Sequence, residues 1–294
     1  MSDHDATPLR AGPEPSCRLF AILARRTLAA VILRRGPTGH VLCVRWDRAR
    51  DAFEEGQWLK GRIYERRCDL SPSGTYLLYF AAKWGTPMAT WTAISRPPHL
   101  TALALWPKGD AWGGGGMFED ERSIVLNSPY VVPKLTQGGP APKMRVRELA
   151  LFGRGGEDFP LYGMRLERDG WRCVSPGKRS SDRWGESPWI TFDPAIEYVR
   201  PRPHDPGCEL RMRITGIKEQ GGDWWIVEHA VVGSIENDLG RTEWADWDAN
   251  GDLLFAREGV LFRARDPGGE PRVLVDLRDR RFVARQAPPS ATRW

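Results

Sequence analysis

The stretch CDLSPSGTYLLYF, from Cys68 to Phe80, has a counterpart far along the chain in ADWDANGDLLFA, from Ala245 to Ala256. In each stretch an Asp is followed five residues later by a Gly, and an apolar run begins at once. The two pairs are Asp69 with Gly74 and Asp246 with Gly251. A Gly at such a point suits a turn that needs a positive φ. The recurrence therefore predicts a repeated strand-turn-strand unit.

The spacing of these units predicts the fold class. From Asp69 to Asp246 the chain covers about four units of roughly 44 residues, a length typical of propeller blades. Further β-branched and aromatic runs predict hairpins, for example AAVILRR and HVLCVRWD on either side of a Gly-Pro-Thr-Gly turn. We expect an all-β protein with a single β-propeller of five or six four-stranded blades and irregular repeats.

Pro-rich and small polar segments predict the boundaries of this domain. We expect an N-terminal tail over residues 1–16, the propeller over residues 17–285 and a C-terminal tail over residues 286–294. Within the domain, the segments Ser175–Trp189 and Arg200–Gly207 are also rich in Pro and turn residues. We expect both to be loops between strands.

The composition is that of a globular chain, with 294 residues, 41% of them hydrophobic and 28% charged. Trp is unusually frequent, at 14 residues against 10 Phe and 6 Tyr, and such large rings suit packing between neighbouring sheets. The formal charge is +5, but basic residues are spread along the chain among acids. Examples are Arg25, Arg34, Arg50, Arg66 and Arg122. We interpret them as a solvated surface, so nucleic-acid binding is not favoured.

The five cysteines contain no CxxC pair, which favours free thiols over a disulfide framework or a zinc site. The first residues show no basic start followed by an apolar core, and no run approaches the roughly 20 apolar residues of a membrane span. We therefore expect a cytoplasmic protein with no membrane contact.

The two best repeats resemble a known family. The pattern of Asp, SP-x-G or a variant, an apolar strand and a later GGEPR-type turn, in Asp69–Phe80 and Asp246–Leu277, is similar to the TolB-type propeller repeats, relatives of the tryptophan-aspartate repeat. The resemblance covers about a third of the chain, and the middle departs from the pattern. It implies a propeller that serves as an interaction platform or as a gating domain beside a peptidase domain.

The run DWDANGD presents oxygen side chains at alternate positions, as the opening of a calcium loop does. They are Asp246, Asp248, Asn250 and Asp252. The twelfth position, which supplies a bidentate acid in such loops, is Arg257, and the run continues as a strand. We favour a structural turn over a cation site and expect no metal, although the pattern leaves the cation open.

The segment WPKGDAWGGGGMF combines two Trp residues, a charge pair and four consecutive glycines. A phosphate loop would need Lys and then Ser or Thr after the glycines, where Met117 and Phe118 stand. The segment is interpreted either as an inter-strand loop whose Trp residues pack between blades or as a recognition surface for a partner or a sugar ring. The candidate binding residues are Trp106, Lys108, Asp110, Trp112, Gly113 and Gly114.

No motif indicates catalysis: GxSxG, HExxH and Cys-His signatures are absent from the sequence. His229, beside Glu228 in an apolar strand-like run, is interpreted as a core histidine, since neighbours in a strand point to opposite faces. We therefore expect no cofactor and a non-enzymatic binding or scaffold protein whose loops recognise a macromolecular partner, most plausibly a protein. The alternative is an enzyme, or a propeller that binds a small, sugar-like ligand at its central channel.

Overall fold

The computed structural model describes residues 17–36, 39–127, 137–138, 144–149, 158–218 and 224–294. Five small sheets lie in a ring and form a five-bladed β-propeller, which confirms the predicted fold class and fixes the number of blades at five. The predicted N-terminal tail, residues 1–16, lies outside the described residues.

Blades 1 and 5 are four-stranded antiparallel meanders, as predicted, each built from one continuous stretch of chain. Blade 1 consists of β1 (Arg18–Leu23), β2 (Ala29–Arg35), β3 (His40–Asp47) and β4 (Ala52–Lys60). Blade 5 consists of β20 (Trp244–Trp247), β21 (Leu253–Arg257), β22 (Val260–Ala264) and β23 (Arg272–Asp276). Alternating and continuous apolar runs bury β1, β2 and β21 almost completely.

Blades 2 and 3 depart from the four-stranded pattern. Blade 2 contains β5 (Arg62–Ile63), β6 (Asp69–Leu70), β7 (Leu77–Ala82), β8 (Thr90–Ser95), β9 (Ala104–Pro107) and, later in the chain, β12 (Gln137–Gly138). Blade 3 contains β10 (Gly116–Asp120), β11 (Ser123–Leu126) and β13 (Arg145–Glu148), and β13 pairs with β11 in parallel. A single turn of 3-10 helix, Glu65–Arg67, precedes β6.

Blade 4 is the largest sheet. An α-helix, α1 (Leu161–Arg168), leads into it, and it contains β14 (Arg172–Pro176), β15 (Arg179–Asp182), β16 (Ile190–Arg202), β17 (Asp205–Ile217), β18 (Trp225–Gly233) and β19 (Asn237–Arg241). The predicted loop at Arg200–Gly207 is wrong, because β16 and β17 run through most of it and meet in a tight turn at His204, which has φ +67°. The predicted loop at Ser175–Trp189 is wrong in part, because β15 lies within it.

The two Asp-to-Gly turns have the same backbone geometry. The amide of Gly74 donates to the carbonyl of Ser71 at 2.8 Å, and the amide of Gly251 donates to the carbonyl of Asp248 at 2.9 Å. Both glycines have positive φ, +78° and +86°. Each turn connects a short strand, β6 or β20, to the buried strand that pairs with it, β7 or β21. The repeat inferred from the sequence is therefore a repeat of structure.

In the part of the chain that the structure describes, side chains rather than an exchanged strand join blade 5 to blade 1. The backbone amide of Leu19 donates to Glu243 Oε2 at 2.7 Å, and the buried Arg34 guanidinium donates to the carbonyls of Leu277 and Arg278 at 3.1 and 2.9 Å. Charged groups add a second connection: Arg48 and Arg263 both bind the buried carboxylate of Asp248. These contacts close the ring.

The predicted C-terminal tail follows the surface of the ring from blade 5 past blade 1 to blade 2. Gln57 Nε2 donates to the carbonyl of Arg285 at 3.0 Å, and Arg96 Nε donates to that of Arg293 at 2.8 Å. The ring of Trp294 packs on Tyr76, with centroids 5.4 Å apart. Among the described residues, no helix is long and apolar enough to cross a membrane.

Candidate functional site

A cavity of about 400 Å³ lies between the first strands of blades 1 and 5, helix α1 and one end of blade 4. The strands β1 and β20 are neighbours in the ring, and both contribute lining residues. Helix α1 covers one side with Tyr162, Arg165 and Leu166, and strands β16 to β18 cover another with Arg200, Met212 and His229. The volume falls within the range of small-molecule sites.

A second, smaller cavity of about 30 Å³ continues along β1 toward its N-terminal end. The two cavities share four residues, Phe20, Arg66, Val227 and Glu243. Along β1, the large cavity touches Phe20 to Arg25 and the small one touches Arg18 to Phe20. We call these four residues the waist, because they border both cavities.

The large cavity is strongly basic. Its lining carries three carboxylates, those of Asp169, Glu243 and Asp246, and twice as many guanidinium groups. These belong to Arg25, Arg48, Arg66, Arg165, Arg168 and Arg200. The interpretation of Arg66 as a solvated surface residue is wrong, since only 8% of it is exposed, and the same correction applies to Arg34 at 1%.

Three of these guanidinium groups are paired with acids. Arg168 binds Asp69 through two hydrogen bonds, at 2.6 and 3.0 Å, and also binds Asp169. Arg200 pairs with Asp246, and Arg48 pairs with Asp248. Burial raises the pKa of Asp246, and the adjacent Arg200 opposes that shift. Among the described residues these pairs hold two of the three acids of the cavity wall.

The other three guanidinium groups have weaker acidic neighbours or none within the described part of the chain. Arg25 at the mouth donates to the carbonyls of Phe118 and Glu119. Arg165 donates to the carbonyls of Cys68 and Glu65. The nearest recorded carboxylate of Arg66 belongs to Glu65, at 3.7 Å.

His229 lies on the cavity wall as a buried, neutral group. Its Nδ1 is 2.6 Å from the Thr242 hydroxyl oxygen, and burial together with the nearby Arg66 charge lowers the pKa of His229 to about 3. Its neighbour Glu228 points to the other face of β18, as strand alternation predicts. An uncharged imidazole leaves the positive charge of the wall to the arginines.

The sequence-predicted binding segment lies at one end of blade 2, away from this cavity. Trp106 is buried among core residues, with 5% of its surface exposed, whereas Trp112 is 62% exposed. The Lys108 ammonium is 3.0 Å from Asp110 Oδ1, which also accepts from the Trp112 amide at 2.8 Å. The structure therefore separates the two Trp residues, and Trp106 is not part of a surface.

The glycine run in this segment serves packing. Gly113 and Gly114 are buried, and their φ values are +70° and +86°. A Cβ on Gly114 would lie 2.2 Å from a ring carbon of Phe80, and the carbonyl of Gly113 accepts from buried Arg67 at 2.6 Å. These two glycines lie in the interior of the blade.

The carboxylates of the DWDANGD run form hydrogen bonds with guanidinium groups. Asp248 and Asp252 accept from Arg263 at 2.7 and 2.8 Å, and Asn250 Oδ1 accepts from the Asp252 amide at 3.1 Å. Within the described residues, no group of three or more His, Cys, Asp or Glu side chains could hold a metal ion. The positive charge that these carboxylates bind is that of arginine.

No family model matches the chain, and no curated protein matches it significantly. The propeller arrangement is present, while membership of the TolB-type family stays a prediction.

Sequence reasoning did not find the large cavity. Its wall is drawn from segments as distant as β1, α1 and β20, and only the fold brings them together.

Proposed function

We propose that the protein is a small-molecule receptor that binds its ligand in the large cavity. A propeller that binds a small ligand was the alternative that the sequence left open. The observation that carries the proposal is a cavity of about 400 Å³ where aromatic rings and several charged groups converge. Binding sites typically combine such a concave, partly apolar space with a few polar groups that orient the ligand. The surface groove beside Leu28 and Phe53, although about 500 Å³, is more open.

The proposal predicts that blocking the mouth abolishes ligand binding. Ala249 lines the cavity and is exposed, so Ala249→Trp adds a large ring at the mouth without overpacking the core. Fragments from a small-molecule library that bind the wild-type protein in saturation-transfer NMR should lose at least tenfold in affinity with this variant.

Ala49→Trp is the matched control. Ala49 is also an exposed alanine in a turn, between β3 and β4, and it does not line the cavity. Its variant should bind every fragment as the wild type does. If no fragment distinguishes the two variants, the cavity is not a receptor site.

A protein partner is a second candidate function, supported by two exposed Trp residues at one end of blade 2. Trp84 is 58% exposed in the β7–β8 turn, and Trp112 is 62% exposed in the loop after β9. Hydrogen bonds to the start of β8 hold both segments. Thr90 Oγ1 donates to the Asp110 carbonyl at 2.6 Å, and the backbone amide of Lys83 donates to the Ala89 carbonyl at 2.8 Å. Exposed Trp residues are frequent anchors at protein interfaces.

Affinity capture from the cells that make the protein tests this second candidate. A Trp84→Ser and Trp112→Ser double variant should lose the partners that the wild type recovers. Trp184→Ser, which removes a 77% exposed Trp from blade 4, is the control and should retain them. Identical recovery by both variants would exclude this surface.

A further inference from the structure

We propose that a phosphate monoester group binds beside the waist, between the guanidinium group of Arg66, which belongs to the waist, and that of Arg165, which lines the large cavity. The inference rests on the proposed receptor function and names the chemical class of its ligand. It concerns the part of the large cavity where Arg66 also borders the smaller space.

The two guanidinium groups share one aromatic environment. Arg66 lies 5.6 Å from the ring centroid of Phe20 and 5.5 Å from that of Tyr162, and Arg165 lies 5.7 and 5.3 Å from the same two rings. Both arginines are buried, with 8% and 6% of their surface exposed. Aromatic faces stabilise a guanidinium ion only in part, since they neutralise no charge.

The hydrogen bonds of Arg66 are incomplete. Its Nε is buried without a partner, and Glu65, its nearest recorded carboxylate at 3.7 Å, is also 3.6 Å from Arg35. Arg48 and Arg263 also have a buried Nε without a partner, but their terminal nitrogens bind carboxylates directly. A buried charge whose counter-ion is distant and shared is only partly compensated, so a bound anion would stabilise it.

Arg165 has hydrogen bonds but no carboxylate partner in the described part of the chain. Its Nη1 donates to the carbonyls of Cys68 and Glu65, which are neutral acceptors. Arg67, which follows Arg66 in the chain, differs from both, because its Nε donates to the buried Asp158 at 2.6 Å. Arg67 therefore has a structural acid as its partner, while its neighbour Arg66 lines the cavity.

The charge of the waist fits a dianion. The carboxylates of Asp169 and Asp246 are engaged by Arg168 and Arg200, and Glu243 accepts from the Leu19 amide. Two further carboxylates border the site, those of Glu243 and of Glu65, and Glu65 is shared between Arg35 and Arg66. Against them stand the guanidinium groups of Arg66, Arg165 and, at the mouth, Arg25. A phosphate monoester carries between one and two negative charges at pH 7 and three strong acceptor oxygens, which planar guanidinium groups bind in pairs.

The test compares three aryl probes that differ in charge: phenyl phosphate, benzoate and phenol. Calorimetric titration of the wild-type protein at constant ionic strength should show phenyl phosphate binding at least tenfold more tightly than benzoate, with phenol weakest. Arg66→Gln and Arg165→Gln should each weaken phenyl phosphate binding by tenfold or more and leave phenol binding unchanged.

Arg26→Gln is the matched control, because Arg26 is exposed next to the mouth but does not line the cavity, and it loses the same unit charge. It should bind phenyl phosphate as the wild type does. Equal losses in all three variants, or benzoate binding as tightly as phenyl phosphate, would overturn the inference.

The outcome stays separable from that of the receptor proposal. Fragments that bind in an Ala249-dependent manner, together with an absence of phenyl phosphate binding, would refute the phosphate site and leave the receptor intact. If the Gln variants do not fold, wild-type protein decides: phenyl phosphate should protect Arg66 and Arg165, but not Arg26, from modification by phenylglyoxal, as mapped by mass spectrometry. No protection would refute the site.

Discussion

At the scale of single residues, glycines mark where the backbone has no room for a side chain. The glycine run before β10 was open to two interpretations from the sequence, a recognition surface or a loop packed between strands. Flexibility and close approach have the same sequence signature, because both need a residue without a Cβ. Only the contact of Gly114 with Phe80 identifies close approach as the cause here.

Two glycines of this segment give a matched test. Gly114→Ala places a Cβ 2.2 Å from Phe80 at a φ of +86°, so steric overlap adds to backbone strain. We expect it to lower the free energy of unfolding by about 3 kcal/mol or more. Gly109→Ala meets no atom within 4 Å at a φ of +95° and should cost only about 1 kcal/mol. Urea unfolding measures both, and equal losses would contradict the packing role.

At the scale of elements, regular apolar patterns predicted the strands well in blades 1 and 5, the two four-stranded meanders. The hairpins β2–β3 and β21–β22 follow from β-branched and aromatic runs around a glycine-containing turn. The hairpin β16–β17 did not, because Pro194, Pro201 and Pro206 lie within it and Pro donates no hydrogen bond to a ladder. Register shifts after Thr191 and Pro201 accommodate the irregularity, and such local bulges leave no pattern in a sequence.

Helix α1 was not predicted either, and it supplies much of the cavity wall. Eight residues give barely two turns, too few for a helical period to stand out against the surrounding strands. The site residues on it, Tyr162 and Arg165, were therefore out of reach of pattern analysis. Chemistry that is assembled from separate elements is not encoded in any one segment.

At the scale of the whole molecule, a network of buried charges holds the first and last blades together. Arg48 of blade 1 and Arg263 of blade 5 share the carboxylate of Asp248, and Arg263 also donates to Asp51 at 2.9 Å. The charge of each side chain in this network is neutralised only while its partners are in place. Removing one acid from such a network leaves buried positive charge.

Asp248→Asn should therefore destabilise the protein by about 3 to 5 kcal/mol, because it removes the charge shared by two buried guanidinium groups while keeping the shape of the side chain. Thermal and urea unfolding would measure the loss, and hydrogen exchange should increase in β1 and β20 together. Asp47→Asn is the control: Asp47 pairs with an exposed Arg50 at 3.0 Å, and such a surface pair contributes little to stability. Equal effects would show that Asp248 does not close the ring.

The position of the cavity between the first and last blades has a consequence for how the molecule would respond to a ligand bound there. One wall belongs to β1 and another to β20, which are far apart in the chain and adjacent only when the ring is closed. A molecule bound between them contacts both blades, so its binding stabilises the closed ring. Saturating ligand should then slow exchange and proteolysis at the seam between blades 5 and 1 more than anywhere else in the propeller.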